Sequence, residues 1–186
     1  MSKMLVIGGS KGIGQSLVNH FGADSVSRSN GYNITKTDDR NKIADLSLEY
    51  DVVVNHAYTS DNSQFYLLQL IIDKWITTNK KGTLINTGSV STHRPYFKDT
   101  MKWYNYTATK ASVDSLCYLV SKKCQEGKYS FRITNIKPGM LDTTESRKKE
   151  HFSSGVSGVE YCKVVELIIN MPEHICIPEI VIESKD

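Results

Sequence analysis

The sequence predicts an α/β fold built on a doubly wound, mostly parallel sheet in three layers. Three observations favour this fold class. Short β-rich runs alternate with helical periods, a glycine-rich turn joins the first strand to the first helix, and the run at 51–55 is continuously apolar. Strands that helices cover on both faces have such unbroken apolar runs. The 186 residues suit one domain with one substantial core, over residues 1–186.

The first half of the chain provides three of the predicted strands. "KMLVIG" (3–8) is apolar and is followed by a glycine turn and a helix at about 12–21. "DSVS" (24–27) and "DVVVN" (51–55) are the next two clear strands. Between them, "SNG" alone separates "SVSR" from "YNI" (32–34), whereas a parallel crossover needs about a dozen residues. A strand at 32–34 is therefore expected to be rudimentary and the sheet to be trimmed on that side.

The second half continues the alternation. Helices are predicted at 63–78, 104–126 and 158–171, each with apolar residues at helical spacing. Strands are predicted at 82–89, 130–139 and 176–184, and Pro138 with Gly139 stops the second of them. No internal repeat or linker divides the chain.

Composition excludes several classes of protein. A net charge of +3 with scattered basic residues does not indicate nucleic-acid binding. The apolar runs are far shorter than the roughly 20 residues of a membrane-spanning helix. The four cysteines have no C-x-x-C spacing and form no zinc-like pattern with the five histidines, so no metal is expected. Cys117 and Cys162 are interpreted as reduced core residues, and with no signal peptide the expected setting is the cytoplasm.

The glycine turn "IGGSKGIG" (7–14) lies between the first strand and the first helix, where a nucleotide-phosphate turn belongs. Glycines permit a tight turn and a close approach of phosphate, and the helix N-terminus offers unpaired amides with a partial positive charge. The alternative is a purely structural strand–helix turn. The residues expected to bind the cofactor here are Gly8, Ser10, Lys11, Gly12, Ile13 and Gly14.

The end of the second strand indicates which nucleotide binds. NAD sites place a carboxylate there to bind the ribose hydroxyls, but this position reads "SVSRSN" and contains Arg28. Lys11 adds a second cation inside the glycine turn. Because cations suit a 2′-phosphate, NADP(H) is favoured over NAD(H). The alternative is that Arg28 is an ordinary surface arginine.

Tyr106 precedes Lys110 by four residues in "YNYTATK" (104–110), so both side chains lie on one face of the predicted helix. A tyrosine with a pKa of about 10 is a poor acid–base catalyst near neutrality, and a neighbouring ammonium would lower that pKa. Tyr104 is six residues from Lys110 and points elsewhere. Alone, this spacing is more often a surface pair on a helix.

Together, the glycine turn and "YTATK" resemble the short-chain dehydrogenase/reductase family, whose Rossmann-like fold the predicted elements follow in order. "GTLINTGSVS" (82–91) is similar to the strand that bears the family's catalytic serine. "VVVNHAY" (52–58) matches the family's "NNAG" segment at two positions, and His56 and Tyr58 depart from it. "KPGMLDT" (137–143) resembles the segment that contacts the nicotinamide amide. Two helices of the family pattern are missing, one between the second and third strands and one before the helix at 63–78.

The resemblance implies a set of site residues. The catalytic residues would be Ser89, Tyr106, Lys110 and Asn62. Besides the glycine turn and Arg28, the cofactor would contact Asn55, Ala57, Tyr106, Lys110, Pro138, Gly139 and Thr143. It further implies hydride transfer between NADP(H) and a carbonyl or alcohol, with Tyr106 as acid or base, in a homodimer or homotetramer paired through the helices at 63–78 and 104–126.

The substrate side is predicted from two segments. The loop at 90–105 joins Ser89 to Tyr106, and the segment at 144–152 occupies the position of the family's substrate loop. Both are rich in basic residues, which favours an anionic carbonyl compound, unless these charges are only solvated. The ending at 171–184 resembles members that reduce small oxo- and hydroxy-acids. The alternative function is an NADP(H)-sensing protein without turnover, which the departures in "NHAY" favour.

Overall fold

The computed structural model describes residues 2–93, 100–148 and 153–185. Its strands are β1 (Met4–Ile7), β2 (Asp24–Val26), β3 (Val52–Asn55), β4 (Gly82–Thr87), β5 (Phe131–Pro138) and β6 (Glu179–Ile182). They form one sheet in the order β2-β1-β3-β4-β5-β6, and every pair of neighbours is parallel. The predicted α/β fold is confirmed, with a sheet that is wholly rather than mostly parallel.

Helices cover both faces of this sheet. They are α1 (Gly12–Phe21), α2 (Thr37–Leu46), α3 (Ser63–Thr77), α4 (Met101–Gln125), α5 (Thr144–Arg147) and α6 (Gly158–Ile169). Alternate residues of a strand point to opposite faces. Leu5 of β1 therefore packs in the core with Leu67 of α3 and Val113 of α4, whereas Val6 packs with Leu17 of α1 and Val165 of α6.

The trimmed edge differs from the prediction in one respect. Residues 32–34 form no strand, so β2 is the edge of the sheet, as the short connection requires. The connection from β2 to β3 nevertheless contains a helix, α2, so the predicted absence of a helix there is wrong. Only Ile43 and Ala44 of α2 are fully buried, so the apolar period of this helix is weak. The other predicted absence is confirmed, because the described residues between β3 and α3 form no helix.

The largest shifts of a predicted boundary, three residues each, are at the starts of α4 and β6. α4 begins at Met101, three residues earlier than the predicted 104, and its first turn therefore includes Trp103. β6 is shorter than predicted because Pro178 has no backbone N–H to donate to the neighbouring strand. The Pro178 carbonyl still accepts a hydrogen bond from the Asn135 N–H, at 2.9 Å.

Burial of the cysteines agrees with the sequence. Cys117 and Cys162 are buried free thiols, as predicted. Across the described ranges, no helix combines the length and the apolar character needed to cross a membrane.

Candidate active site

A cleft of about 340 Å³ opens at the carboxyl ends of β1, β2 and β3, where side chains from several loops converge. In open α/β sheets, ligands bind in the crevice at this edge. Its walls come from the glycine turn, the end of β2, the segments at 32–34 and 56–59, and residues near α5. The residues of the walls that matter most below are Gly8, Ser10, Lys11, Gly12, Ile13, Arg28, His56, Ala57, Tyr58 and Thr143.

The glycine turn has the geometry of a phosphate cradle. Gly8 has a φ of 95°, a left-handed conformation, and its N–H donates to the Val26 carbonyl at 2.8 Å. A Cβ on Gly14 would lie 2.1 Å from the Gly8 carbonyl oxygen, so only glycine lets α1 begin this close to the turn. The first amides of α1 therefore lie beside the cleft, where they can bind an anion.

Two cations stand at this cleft. Lys11 precedes α1 and Arg28 follows β2, and both side chains are exposed. Neither side chain forms a hydrogen bond or ion pair with another residue in the described ranges. Glu145 is the acidic residue of the described cleft wall, and it pairs with Lys148 at 3.3 Å. The described residues therefore fit the phosphate groups of a nucleotide.

Thr143 faces the glycine turn across the cleft. A Cβ on Gly12 would lie 3.5 Å from the Thr143 Cγ2 atom. The Thr143 hydroxyl accepts from the Ser146 N–H at 3.1 Å and thereby caps α5. Pro138 ends β5 and the Gly139 N–H donates to the Ile182 carbonyl, so these two residues position the segment behind Thr143 and are not part of the cleft wall.

Asn55 lies at the end of β3 but points away from the cleft. Its side chain is fully buried, and its Nδ2 donates to Asn86 Oδ1 at 3.1 Å. Its Oδ1 is buried without a partner. Ala57, the other match to the family segment, lines the cleft. The two matched positions therefore have different surroundings.

Ser89, Tyr106 and Lys110 are brought together beside this cleft. Ser89 follows β4 and is buried, and its hydroxyl forms a hydrogen bond with the Tyr106 side chain. Lys110 Nζ lies 5.9 Å from the centre of the Tyr106 ring. The predicted grouping on one face of α4 is therefore present in the structure.

The pKa of Tyr106 differs from the sequence-based expectation. Burial raises this pKa above its usual value, the hydrogen bond with Ser89 lowers it in part, and the Asp114 charge raises it. The expected lowering by Lys110 is wrong for this structure, because the cost of burying a phenolate is the larger effect.

Lys110 is almost completely buried, with 3 % of its surface exposed. Its Nζ donates to Gln64 Oε1 at 2.9 Å and to the Thr87 carbonyl at 2.8 Å. Burial lowers the pKa of Lys110 to about 7, and Asp114 and Cys117 oppose that change. The lysine is therefore close to changing its charge near neutral pH.

Aromatic rings enclose the tyrosine. Tyr58 meets the Tyr106 ring edge to face at 5.1 Å between centroids, and Lys110 Nζ lies 5.1 Å from the Tyr58 ring centre. Trp103 stacks on Tyr106 at 5.2 Å with an angle of 23° between the rings. The indole N–H of Trp103 is buried and has no partner among the residues that the structure describes. Tyr104 is nearly half exposed.

Asn62 is not part of this cluster. It is an exposed residue immediately before α3, with a left-handed φ of 60°, and its side chain does not cap the helix. Gln64, two residues later, is fully buried and contacts Lys110 instead. Gln64 was not predicted, because the family resemblance pointed to Asn62 and a sequence does not show which of several polar side chains turns inward.

His56 was noted only as a departure from a motif, yet it lines the cleft. Its Nδ1 is 3.0 Å from the Thr87 hydroxyl, which in turn is 2.7 Å from the Tyr161 hydroxyl. Burial, helped by the Lys110 charge, lowers the pKa of His56 to about 4, so its ring is neutral near pH 7. Tyr32, Asn33 and Ile34 also line the cleft and were not predicted.

Part of the predicted substrate side falls outside the described residues. This applies to Arg94, Tyr96, Phe97 and Lys98 of the first loop, and to Lys149, His151 and Phe152 of the second. His93 is described, and its Nε2 lies 2.6 Å from Lys137 Nζ.

Comparisons with known proteins agree with this arrangement. Residues 44–153, more than half of the chain, match the short chain dehydrogenase family. No curated protein sequence matches the chain significantly. Of the solved structures that share the fold at low sequence identity, three illustrate the likeness. Acetoin dehydrogenase YohF from Salmonella typhimurium has a TM-score of 0.72 at 15 % identity, over 98 % of this chain and 95 % of its own.

The other two structures carry cofactors. The closed form of serine dehydrogenase complexed with NADP+ has a TM-score of 0.71 at 15 % identity, over 97 % of this chain and 94 % of its own. The 3-ketoacyl-(acyl-carrier-protein) reductase from Brucella melitensis complexed with NADH has a TM-score of 0.71 at 14 % identity, over 95 % and 93 %. At such identities the likeness establishes the fold alone.

Proposed function

We propose that this chain, which belongs to the short-chain dehydrogenase family and is thus an oxidoreductase, interconverts a carbonyl and an alcohol on a small molecule with NADP(H). One observation carries the proposal. Ser89, Tyr106 and Lys110, from two separate elements, meet beside a cleft that contains a glycine turn and two unpaired cations. Neither a structural turn nor a surface tyrosine–lysine pair requires that convergence.

The choice of NADP(H) over NAD(H) rests on Lys11 and Arg28. Both cations face the cleft without described partners, and no carboxylate ends β2. A 2′-phosphate would supply the missing counter-charge, and Arg presents a planar fork that suits phosphate. Relatives of the same fold were solved with NADP+ and with NADH, so these local charges are the discriminating feature.

The catalytic steps assigned to the chain are proton transfer and stabilisation of charge. When bound, the nicotinamide cofactor supplies or accepts the hydride. Tyr106 donates its phenolic proton to the carbonyl oxygen during reduction, and takes it back during oxidation. Ser89 donates a hydrogen bond to that oxygen as negative charge develops on it. Lys110 in its ammonium form stabilises the phenolate that Tyr106 becomes.

The substrate is proposed to be a small carbonyl compound, with a bias towards anionic ones. Trp103 stacks on Tyr106, and its indole N–H, which has no partner among the described residues, is a donor for a substrate oxygen.

We place the protein in the cytoplasm as a single-domain homodimer or homotetramer that pairs through α3 and α4. Tyr66 on α3 and Leu119 on α4 are exposed and would be covered by that pairing.

A second candidate function is a sensor that binds NADP(H) without turnover. Tyr58 favours it, because its ring lies over both Lys110 and Tyr106 where the family segment has a glycine. While the ring keeps this position, the ammonium is shielded from the cleft. The two functions differ in whether a carbonyl is reduced once the nucleotide is bound.

One experiment tests both the cofactor and the reaction. The affinities for NADPH and NADH are measured by fluorescence for wild type and for Arg28→Ala, and each nucleotide is then mixed with a panel of carbonyl compounds. We expect wild type to oxidise NADPH, and Arg28→Ala to bind NADPH about 10-fold more weakly with NADH binding unchanged. Lys36→Ala serves as an exposed control.

Two results would contradict the proposal. Binding of NADPH without turnover of any carbonyl supports the sensor. Equal loss of NADPH and NADH affinity in Arg28→Ala overturns the assignment of the 2′-phosphate site.

A further inference from the structure

A chain of buried side-chain amides runs from Lys110 to a carboxylate. Lys110 Nζ donates to Gln64 Oε1 at 2.9 Å, and Gln64 Nε2 donates to Asn86 Oδ1 at 3.2 Å. Asn86 Nδ2 donates to Asn135 Oδ1 at 2.8 Å, and Asn135 Nδ2 donates to Asp114 Oδ1 at 2.7 Å. The three amide residues are almost completely buried, which makes an unpaired group costly. The chain therefore acts as one hydrogen-bonded unit.

Asp114 sets the direction of every amide in this unit. An ionised carboxylate can only accept hydrogen bonds, so Asn135 must turn its Nδ2 towards Asp114 and its Oδ1 towards Asn86. Asn86 must then turn its Nδ2 towards Asn135, which leaves its oxygen for Gln64. Because the Asn86 oxygen can only accept, Gln64 turns its Nε2 towards Asn86 and its Oε1 towards Lys110. The other contact of Gln64 Nε2, with the Thr87 carbonyl at 3.0 Å, requires the same orientation.

The Asp114 carboxylate is itself firmly held. Its Oδ2 lies 3.0 Å from Lys137 Nζ and also accepts a hydrogen bond from the Thr92 hydroxyl. Both contacts come from donors, and a carboxylate that accepts from them fixes the direction of the hydrogen-bonded chain. Asp114 therefore determines, through three amides, that an oxygen and not an N–H faces Lys110.

We propose that Gln64 is a positioning residue, which holds the Lys110 ammonium beside Tyr106 in the direction that Asp114 imposes. The inference rests on the proposed function. It assigns to Gln64 a place at Lys110, whereas the family resemblance implied Asn62 as the further catalytic residue. Two of the three Nζ hydrogens are bound to Gln64 Oε1 and the Thr87 carbonyl. The third is left for the cleft side, where Tyr58 and Tyr106 lie.

The positioning has a consequence for the charge of Lys110. The charged or titratable groups around Lys110 are His56 and Tyr58 from the loop after β3, Tyr106, Asp114 and Cys117 from α4, and Lys137 of β5 beyond Asp114. Burial lowers the pKa of Lys110 to about 7. An oxygen acceptor at 2.9 Å favours the ammonium, so removal of that acceptor should lower the pKa further, and a carboxylate in its place should raise it.

The test compares Gln64→Met and Gln64→Glu with wild type and with Gln69→Met, an exposed control on the same helix. The protonation midpoint of Lys110 is followed by NMR of protein labelled with ¹⁵N-lysine, and the Lys110→Met variant assigns the signal. The pH profile of kcat for carbonyl reduction is measured in parallel. Circular dichroism checks that each variant folds.

We expect the midpoint to fall by about one pH unit in Gln64→Met and to rise by about one pH unit in Gln64→Glu. The alkaline limb of kcat should move in the same directions, with KM changed less than kcat. If Gln64 only supported the fold, its replacement would lower kcat at every pH and would not shift the pH of the alkaline limb. If only one variant folds, its predicted direction still decides the question.

The outcomes separate this inference from the proposed function. A midpoint that stays within 0.2 pH units of wild type, roughly the precision needed to resolve such shifts, overturns the role of Gln64 even in an active enzyme. If the midpoints shift as expected but wild type reduces no carbonyl, the proposed reaction fails and the placement of Lys110 by Gln64 stands.

Discussion

Lys110 and Lys137 are both buried lysines, and they have opposite surroundings. Lys110 is 3 % exposed and Lys137 is 4 % exposed. Lys110 Nζ contacts two neutral oxygens, from Gln64 and the Thr87 carbonyl. Lys137 Nζ contacts the carboxylates of Asp114 at 3.0 Å and Glu179 at 2.7 Å. The two lysines are therefore about equally buried, but only Lys137 has carboxylates in contact with its ammonium group.

The two pKa shifts follow from this difference. Burial lowers the pKa of Lys137, but the bonds to Glu179 and Asp114 outweigh it, so that its pKa lies above the usual value. At Lys110, burial lowers the pKa to about 7, and the Asp114 charge offsets only a part of that effect. A carboxylate in direct contact keeps a buried lysine charged, whereas amide and carbonyl oxygens leave it able to lose its proton. Lys137 suits a structural role and Lys110 a chemical one.

The largest expected effect on stability is at Lys137. Lys137→Met leaves Asp114, whose side chain is only 13 % exposed, without its direct cation, and breaking a largely buried ion pair in this way costs about 3 kcal/mol in the free energy of unfolding. Lys110→Met removes two hydrogen bonds but also the cost of a buried charge, so its loss should stay below about 1.5 kcal/mol. Urea denaturation of both variants measures the difference.

The exposed Lys128, which pairs with Glu126 at 3.0 Å, provides the matched control. Its replacement by Met should leave the free energy of unfolding within experimental error, because surface pairs contribute little. Equal destabilisation by Lys110→Met and Lys137→Met would remove the distinction between the two lysines.

A smaller effect is expected in the pH dependence of wild type. The rate of carbonyl reduction should fall as pH rises through about 7, because Lys110 loses its proton there. Stability should change in the opposite direction. Between about pH 7 and the ordinary lysine pKa of 10.5, the unfolded chain binds a proton at Lys110 that the folded chain has released, so this lysine makes the free energy of unfolding rise with pH.

The slope due to Lys110 approaches about 1.4 kcal/mol per pH unit within that window. Lys137 acts in the reverse sense, since its raised pKa contributes stability that is lost only as pH rises through its folded value. Urea denaturation at pH 7 to 9 for wild type and Lys110→Met measures the contribution. The same pH slope in both proteins would show that Lys110 is not the group responsible.

The fold and the direct contacts of Tyr106 could be predicted from sequence because local patterns determine them. Apolar runs specify the strands, and a four-residue spacing places Tyr106 and Lys110 on one face of a helix. α2 was missed because its buried residues are too few to set a period. Gln64, Asn86 and Asn135 were missed because their contacts join α3, β4 and β5, which are distant in sequence. The pKa of Tyr106 depends on burial, which spacing does not reveal.

The central claim is that Tyr106 is the acid–base group of a carbonyl–alcohol oxidoreductase. The most direct test measures NADPH oxidation with the best carbonyl substrate for wild type, for Tyr106→Phe, and for Tyr118→Phe on the exposed side of the same helix. The account predicts that Tyr106→Phe binds NADPH within about 3-fold of wild type while kcat falls by about 10² to 10⁴-fold, and that Tyr118→Phe is unchanged. Turnover in Tyr106→Phe equal to that of wild type would contradict it.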